Sequence, residues 1–290
     1  MTALAGEAAG ARDAASPRRE RLRVLLRSGT FIAGLLIVGF WVTCALFGLH
    51  LAPQDPYADD LLSSLDPPSA DHWFGTDSLG RDIFSRVIVG SRDILSVAPL
   101  ATILGTILGT ALGLLTGYFR GLIDDAISRV VDAFLALPLI IIALLALVAL
   151  GSSNTTVIIV IGVIFAPIIA RTVRSAVLSE RELDYVAAAQ LRGEGALHIM
   201  FVEILPNVIP PILVESTVRL GYAIFAVATL SFIGFGIQPP SADWGLAIAD
   251  SYSYIAGGYW WTVLFDAVAI ASLVVGVNLL ADGIQGAFET

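Results

Sequence analysis

Lysine is absent from this chain: its 16 basic residues are all arginine. A P-loop ATPase sets a lysine against the β- and γ-phosphates in G-x-x-x-x-G-K-[ST], so the chain does not hydrolyse ATP by that route. Cysteine is almost absent too. Cys44 stands alone, which rules out an intrachain disulfide and a multi-cysteine metal site. Within an apolar run it reads as a small buried hydrophobe. Histidine occurs three times, at His50, His72 and His198. These are spread over both predicted membrane faces, so no single metal site is expected. No G-x-S-x-G stands on a predicted turn, and no serine has a histidine base nearby. Charge is scarce as well: 14% of residues carry it, against about 25% in soluble domains. With no catalytic constellation in sight, transport, channel and scaffold functions are left.

What fills the chain instead is apolar residues, 57% of 290, with mean hydropathy +0.84. They are not scattered. Continuous apolar blocks occupy 30–49, 94–119, 130–150, 155–170, 207–236 and 259–281. A helix crossing about 30 Å of hydrocarbon needs about 20 residues. The block at 155–170 is short, but Val173 and Ala176–Leu178 extend it past Arg171 and Arg174, which can snorkel. Transmembrane strands would show runs of about ten residues with alternating polarity, and these blocks do not alternate. The expectation is an all-α integral membrane protein with six transmembrane helices. The first block runs beyond a signal-peptide core and ends in LFGLHLAPQDP, without a small-residue cleavage site, so it reads as an uncleaved span.

The arginines orient the spans. Arg12, Arg18, Arg19, Arg21, Arg23 and Arg27 precede the first block. With that end cytoplasmic, Arg120, Arg129, Arg171, Arg174, Arg181 and Arg192 also fall inside, as the positive-inside rule requires. An even number of spans then puts both termini in the cytoplasm. The opposite face gathers Asp55, Asp59, Asp60, Asp66, Asp71, Asp77, Asp243 and Asp250. The net charge of −9 is therefore mostly a property of the outer face and carries no sign of nucleic-acid binding. Residues 1–29 read as a cytoplasmic tail, 30–50 as the first span, 51–93 as an extracytoplasmic segment, and 94–290 as a five-helix core.

Within the outer segment, GTDSLGRDIFSRVIVGSRD (75–93) places Leu79, Ile83, Val87 and Ile88 at helical spacing, opposite Arg81, Asp82, Ser85 and Arg86. This predicts an amphipathic helix on the outer membrane surface, capped by Asp77 or Ser78. In the second span Gly105, Gly109 and Gly113 lie four apart. Such a row permits close helix packing, although glycine is also simply tolerated in membrane helices. Glu215 and Arg219 are four apart in the fifth span, with Glu first, the favourable order for an ion pair. They either line or gate a path or brace helices. Asp132, near Arg129, and Asp266 read as interfacial or helix-packing groups. Asn278 reads as a helix–helix hydrogen-bonding group. Trp244, Tyr259, Trp260 and Trp261 fit an interfacial aromatic belt.

The predicted inner loop, 176–206, contains ERELDYVAAAQLRGEGALHIM. Helix formers broken by Gly193 and Gly195, with Pro206 opening the next element, read as helix, turn, helix outside the lipid. A short exposed helix with small alanine faces can be gripped closely by another protein; the alternative is an ordinary connecting loop.

These residues carry a resemblance. Tyr185-Val186-Ala187-Ala188-Ala189, then Gly193, then Ile204-Leu205-Pro206-Asn207 resembles the EAA loop of ABC importer permeases. This chain keeps Ala188, Ala189, Gly193, Leu205 and Pro206, and departs at Ala187, where the family has Glu. GTDSLGRDIFSRVIVGSRDIL, LPNVIPPILVEST, LSFIGFGIQPPSADWG and NLLADGIQGAF are similar to segments of the peptide-type permeases (dipeptide, oligopeptide and nickel importers). The similarity spans residues 28–288, with the character of the shorter, C-type partner of a permease heterodimer.

The resemblance implies a type I ABC importer permease fold in the cell (inner or plasma) membrane. It implies that Tyr185, Ala187, Ala188, Ala189, Arg192, Gly193 and Glu194 form a coupling helix that docks a cytoplasmic ATPase. The implied partners are a second permease, two ATPase subunits or domains, an extracytoplasmic substrate-binding protein and membrane lipid. ATP and Mg²⁺ would sit on the ATPases, with no cofactor, metal or catalytic residue in this chain. Di- or oligopeptides are the implied cargo. Nickel or another small solute remains open, though nickel would favour His in the path and none is seen there. An ion-gradient-driven transporter would show inverted repeats and broken mid-membrane helices, and none is read from the sequence.

Overall fold

A computed structural model describes Leu25 and residues 27–289. The expected cytoplasmic tail thus falls almost wholly outside the described residues. The described chain is helical, and its one strand-like contact is an isolated antiparallel bridge between Thr76 and Asp82. Five helices are long and apolar enough to cross a membrane: α1 (Gly29–Leu51), α2 (Ile83–Tyr118), α5 (Asn154–Arg181), α7 (Ala196–Phe232) and α9 (Trp261–Glu289). A sixth crossing is supplied by α3 (Leu122–Leu135) and α4 (Leu139–Leu150), bent by 90°. Between α5 and α7 lies a short helix, α6 (Asp184–Leu191); α8 (Trp244–Ser251) precedes α9.

The sequence predicted one straight third span over 130–150, and the structure breaks it. Pro138 stands at the N-cap of α4, and a residue before proline is pushed out of the helical region. The helix arriving from Leu122 therefore stops at Leu135. The polar half, with Asp124, Asp125, Arg129 and Asp132, becomes the separate helix α3. The 12 apolar residues of α4 rise only about 18 Å, less than the roughly 30 Å hydrocarbon layer.

The core of the bundle is the seam between α2 and α5, which make the most extensive helix–helix contact. Gly105, Gly109, Gly113 and Gly117 form one stripe of α2 and are met in step by Gly162, Ile169, Val173 and Val177 of α5. The matched order shows that the two helices run parallel. A Cβ on Gly109 would lie 2.6 Å from Ile169 Cβ and 2.8 Å from the Ala166 carbonyl; one on Gly113 would lie 2.6 Å from Val173 Cβ. The glycine row is thus a close-packing device here. A second seam joins α1 to α9, where Gly34 lies against the Gly276 carbonyl and Trp41 Nε1 donates to Ser272 Oγ at 2.9 Å. Cys44 is buried in the same region.

One end of the bundle is closed by a cap, and here the structure corrects the predicted amphipathic helix. Residues 75–82 are a loop, not a helix. The helix begins at Ile83, with Asp82 rather than Asp77 or Ser78 as N-cap: Asp82 Oδ2 accepts the Ser85 amide at 2.8 Å. From there it continues without a break as α2. Nor does it have a wet face. Ser85 to Ser91 are all buried, and the Arg86 side chain is 5% exposed. Its guanidinium donates to the Pro56 carbonyl at 3.1 Å and the Ser241 carbonyl at 3.2 Å, and lies 3.6 Å from Asp77. The acceptors come from loops remote in sequence that fold over the helix, so its own periodicity could not reveal them. Asp266 of α9 is buried beside the same small cavity as Arg86 and Asp77, a packing position within the bundle.

Two of the expected belt aromatics are also core. Trp244 is fully buried, and its Nε1 donates to the Val87 carbonyl at 2.9 Å. Trp261 Nε1 donates to the Thr76 carbonyl at 3.3 Å. Trp260, half exposed, keeps the character expected of a belt residue. Asn278 packs its side-chain oxygen over Gly221 of α7.

The seam predicts a cost. Gly109→Leu should lower the stability of the detergent-solubilised protein by about 1–3 kcal/mol, since overpacking forces the backbones apart. Gly39→Leu, where a side chain meets open space, should leave it nearly unchanged. Thermal unfolding followed by size-exclusion chromatography would measure both.

Candidate functional site

At the end of the bundle opposite the cap, α5 finishes at Arg181 and α6 follows directly. The sequence expected the fifth span to start at Pro206. The structure starts α7 ten residues earlier, at Ala196, through a π-helical stretch at Ile199–Ile204. Proline lacks an amide donor, and the widened turn just before Pro206 accommodates it within a continuous helix. Asn207 Nδ2 covers the Glu203 carbonyl at 2.8 Å.

The turn between α6 and α7 is fixed by Gly193, whose φ is +76°. The Glu194 amide bonds back to the Ala189 carbonyl at 3.2 Å and the Gly193 amide to Gln190 at 3.0 Å. That pair of bonds is the glycine-terminated helix end of the Schellman type, which needs a left-handed residue at this position. A glycine there is thus a backbone requirement.

α6 has an inner and an outer face. Val186 and Ala189 are fully buried, packed where the ends of α5 and α7 meet. Ala187, Ala188 and Arg192 point outward. Leu191 is 90% exposed, and Leu183 and Leu197 are exposed beside it. The helix is tied down by Tyr185. Its hydroxyl donates to Glu180 Oε2 of α5 at 2.7 Å and accepts from Asn207 Nδ2 of α7 at 3.2 Å. Burial, then the bond to Glu180, push the Tyr185 phenol up to about 12, so it stays a donor. Arg192 Nε bonds Glu194 Oε1 at 2.7 Å, and its Nη2 reaches Glu203 Oε1 at 3.3 Å. The bond to Glu194 raises the Arg192 pKa above its ordinary value. His198 lies 3.4 Å from Glu194. Glu194, His198 and Glu203 are close enough together to hold a metal ion, but the Arg192 guanidinium already bonds both carboxylates.

The second predicted pair also meets. Arg219 Nε lies 2.6 Å from Glu215 Oε1 on α7, with both side chains less than a fifth exposed. Thr172 of α5 donates to Glu215 Oε2 at 3.2 Å, and the Arg219 guanidinium sits 4.9 Å from the centre of the Tyr222 ring. Beside the pair, Thr102 and Thr106 of α2 face Ser216 and Thr217 of α7 across a cavity of about 340 Å³. The sequence reading missed Glu180, Glu203 and Thr172, whose roles arise only once distant helix ends are brought together.

Long helices, a broken third span and a short helix held outside the bundle define a polytopic membrane protein of the transporter type. A family profile described as "Binding-protein-dependent transport system inner membrane component" matches residues 109–290. Another, "N-terminal TM domain of oligopeptide transport permease C", matches residues 16–68. The chain belongs to this family of ABC importer permeases. It is 40% identical to the dipeptide transport system permease protein DppC of Alkalihalophilus pseudofirmus, over 95% of this chain and 90% of that one. It is 35% identical to DppC of Bacillus subtilis (96% and 87% covered) and 37% identical to the probable D,D-dipeptide transport system permease protein DdpC of Escherichia coli (88% and 85%). Its fold is similar to a chain of the inward-facing MetNI methionine ABC transporter, with TM-score 0.58 and 22% identity over 70% of this chain and 95% of that one.

The Tyr185 tie makes a prediction. Tyr185→Phe removes two hydrogen bonds, each worth about 1 kcal/mol. Amide hydrogen exchange over 184–191 should accelerate by about thirtyfold, while the α2–α5 seam stays protected.

Proposed function

We propose that this chain, paired with a second permease, forms the path of an ATP-driven importer of di- or oligopeptides. In this reading α6 is the coupling helix, seated in a groove of a cytoplasmic ATPase. Two ATPase subunits or domains bind ATP and Mg²⁺, and an extracytoplasmic binding protein delivers the cargo to the capped end. Both termini lie in the cytoplasm. This chain binds no nucleotide and transmits movement instead.

The observation that carries the reading is the two-faced build of α6. Val186, Ala189 and Tyr185 fasten it to the ends of α5 and α7. Ala187, Ala188, Leu191 and Leu183 leave an apolar outer face uncovered. A push on that face is passed to two membrane-crossing helices at once. The peptide cargo rests on the transport functions for which the relatives are named and on the largely apolar cavity beside Glu215 and Arg219, whose paired charges suit the ends of a peptide. Ala187, in the position of the family's Glu, makes the grip on the ATPase more apolar.

Gly193→Arg places a side chain at a positive φ with no clash around it, so the effect falls on the α6 turn. Uptake by the reconstituted complex should drop by at least about fivefold, the low end of a coupling of about 1 kcal/mol, with the chain still in the membrane. Survival of ATP-driven uptake would refute the coupling role of α6. Glu215→Gln with Arg219→Gln should likewise impair uptake while assembly persists. Normal uptake would return that pair to a bracing role.

A further inference from the structure

Between α2, α3 and α5 lie two joined cavities that the transport reading does not use. One, of about 270 Å³, is lined by Thr116, Ser128, Asp132, Arg171 and Arg174. The other, of about 540 Å³, is almost wholly apolar, with Leu108, Val130, Phe134, Val163 and Pro167 in its walls. Leu112, Ile127 and Val131 line both, so the two are continuous. Along α2 the order is Leu108, Leu112, Thr116; along α5 it is Val163, Pro167, Arg171, Arg174. Both parallel helices therefore pass from apolar to polar in the same direction, toward the α6 end, and α5 ends in charge. From Val163 to Arg174 the helix rises about 16 Å, roughly half of a 30 Å hydrocarbon layer and thus the depth of one leaflet.

The charged mouth has donors to spare. Arg171 donates one N–H to Asp132 at 2.9 Å, and Arg174 donates two to Asp124 at 2.7 Å. A guanidinium has five, so both keep N–H groups for an oxyanion. Each arginine is paired with one aspartate, Arg171 with Asp132 and Arg174 with Asp124, so the two pairs carry no net charge; Asp125 and Arg120, of opposite sign, lie nearby. Asp132 is 60% exposed and engages Arg171 through one oxygen, so its other oxygen is open to a cation. A mouth with spare guanidinium donors, an available carboxylate and no net charge matches a headgroup that carries both a phosphate and an ammonium.

We propose that this composite cleft binds one zwitterionic aminophospholipid from the adjoining leaflet. Its phosphate meets Arg171 and Arg174, its ammonium meets Asp132, and an acyl chain lies in the groove between α2, α3 and α5. The lipid would fill the space left where the short, bent third span turns away from its neighbours.

The test is native mass spectrometry of the full chain, purified with its co-assembling subunits in mild detergent and titrated with phosphatidylethanolamine or phosphatidylglycerol. The wild type should hold phosphatidylethanolamine in preference. Arg171→Gln, which leaves the Arg174–Asp124 pair intact, should weaken that binding by about tenfold, as expected for loss of a charge-assisted hydrogen bond. Ala126→Trp narrows the groove without touching the mouth and should weaken it too, which keeps the test decisive if the arginine variant fails to assemble. Equal or tighter binding of phosphatidylglycerol would overturn the headgroup assignment. Binding unaffected by either variant would overturn the site. So would efficient cross-linking of Val163→Cys to another subunit in lipid-free protein, which would mark the groove as a protein interface.

Discussion

The contact between α2 and α5 sets the geometry on which the rest depends. Apolar side chains gain little by leaving lipid for one another, so membrane helices associate through close van der Waals packing. Here that closeness is obtained by removing side chains from one helix face. Gly105, Gly109, Gly113 and Gly117 let the backbone of α2 lie against Ile169, Val173 and Val177. The seam fixes the two helices in parallel and brings their ends to the same level. Arg120, just past α2, pairs there with Glu182, just past α5. The cap at one end and α6 at the other are built on that pair.

Polar groups then do at the ends what glycine does in the middle. At the cap, Arg86 gathers carbonyls from two separate loops, and Trp244 and Trp261 each place an indole N–H on a backbone oxygen. A guanidinium suits this position because it keeps its charge and offers several donors in fixed directions. At the opposite end Tyr185 joins Glu180 to Asn207, so α6 is held by two helices and not hung on a flexible loop. The two ends share a device: Arg86 at one and Tyr185 at the other each draw hydrogen-bond partners from more than one element.

The sequence made the six-span, all-helical plan legible because crossing a membrane demands long apolar runs. Glu215 and Arg219 were legible for an equally local reason: four residues of helix bring their side chains together. The helix and turn around Gly193 also came from local signals. What failed were positions whose partners are distant. Arg86 looked like a surface residue because its acceptors at Pro56 and Ser241 are supplied by tertiary folding. Trp244 and Trp261 looked like belt residues for the same reason. The break at Pro138 was hidden inside an apolar block, where composition outweighed the single residue that stops the helix.

The prolines of α7 have a mechanical meaning. Pro206, Pro210 and Pro211 each withhold an amide from the helical ladder, next to the π-helical stretch at Ile199–Ile204. A rod with rungs missing on one short stretch does not bend uniformly; its compliance is concentrated there. Glu215 and Arg219 stand just beyond that compliant stretch, and α6 stands just before it. The part of α7 beyond Pro211 is thus a stiff lever on the far side of a built-in flexure, with the Glu215–Arg219 pair set at the lever's near end.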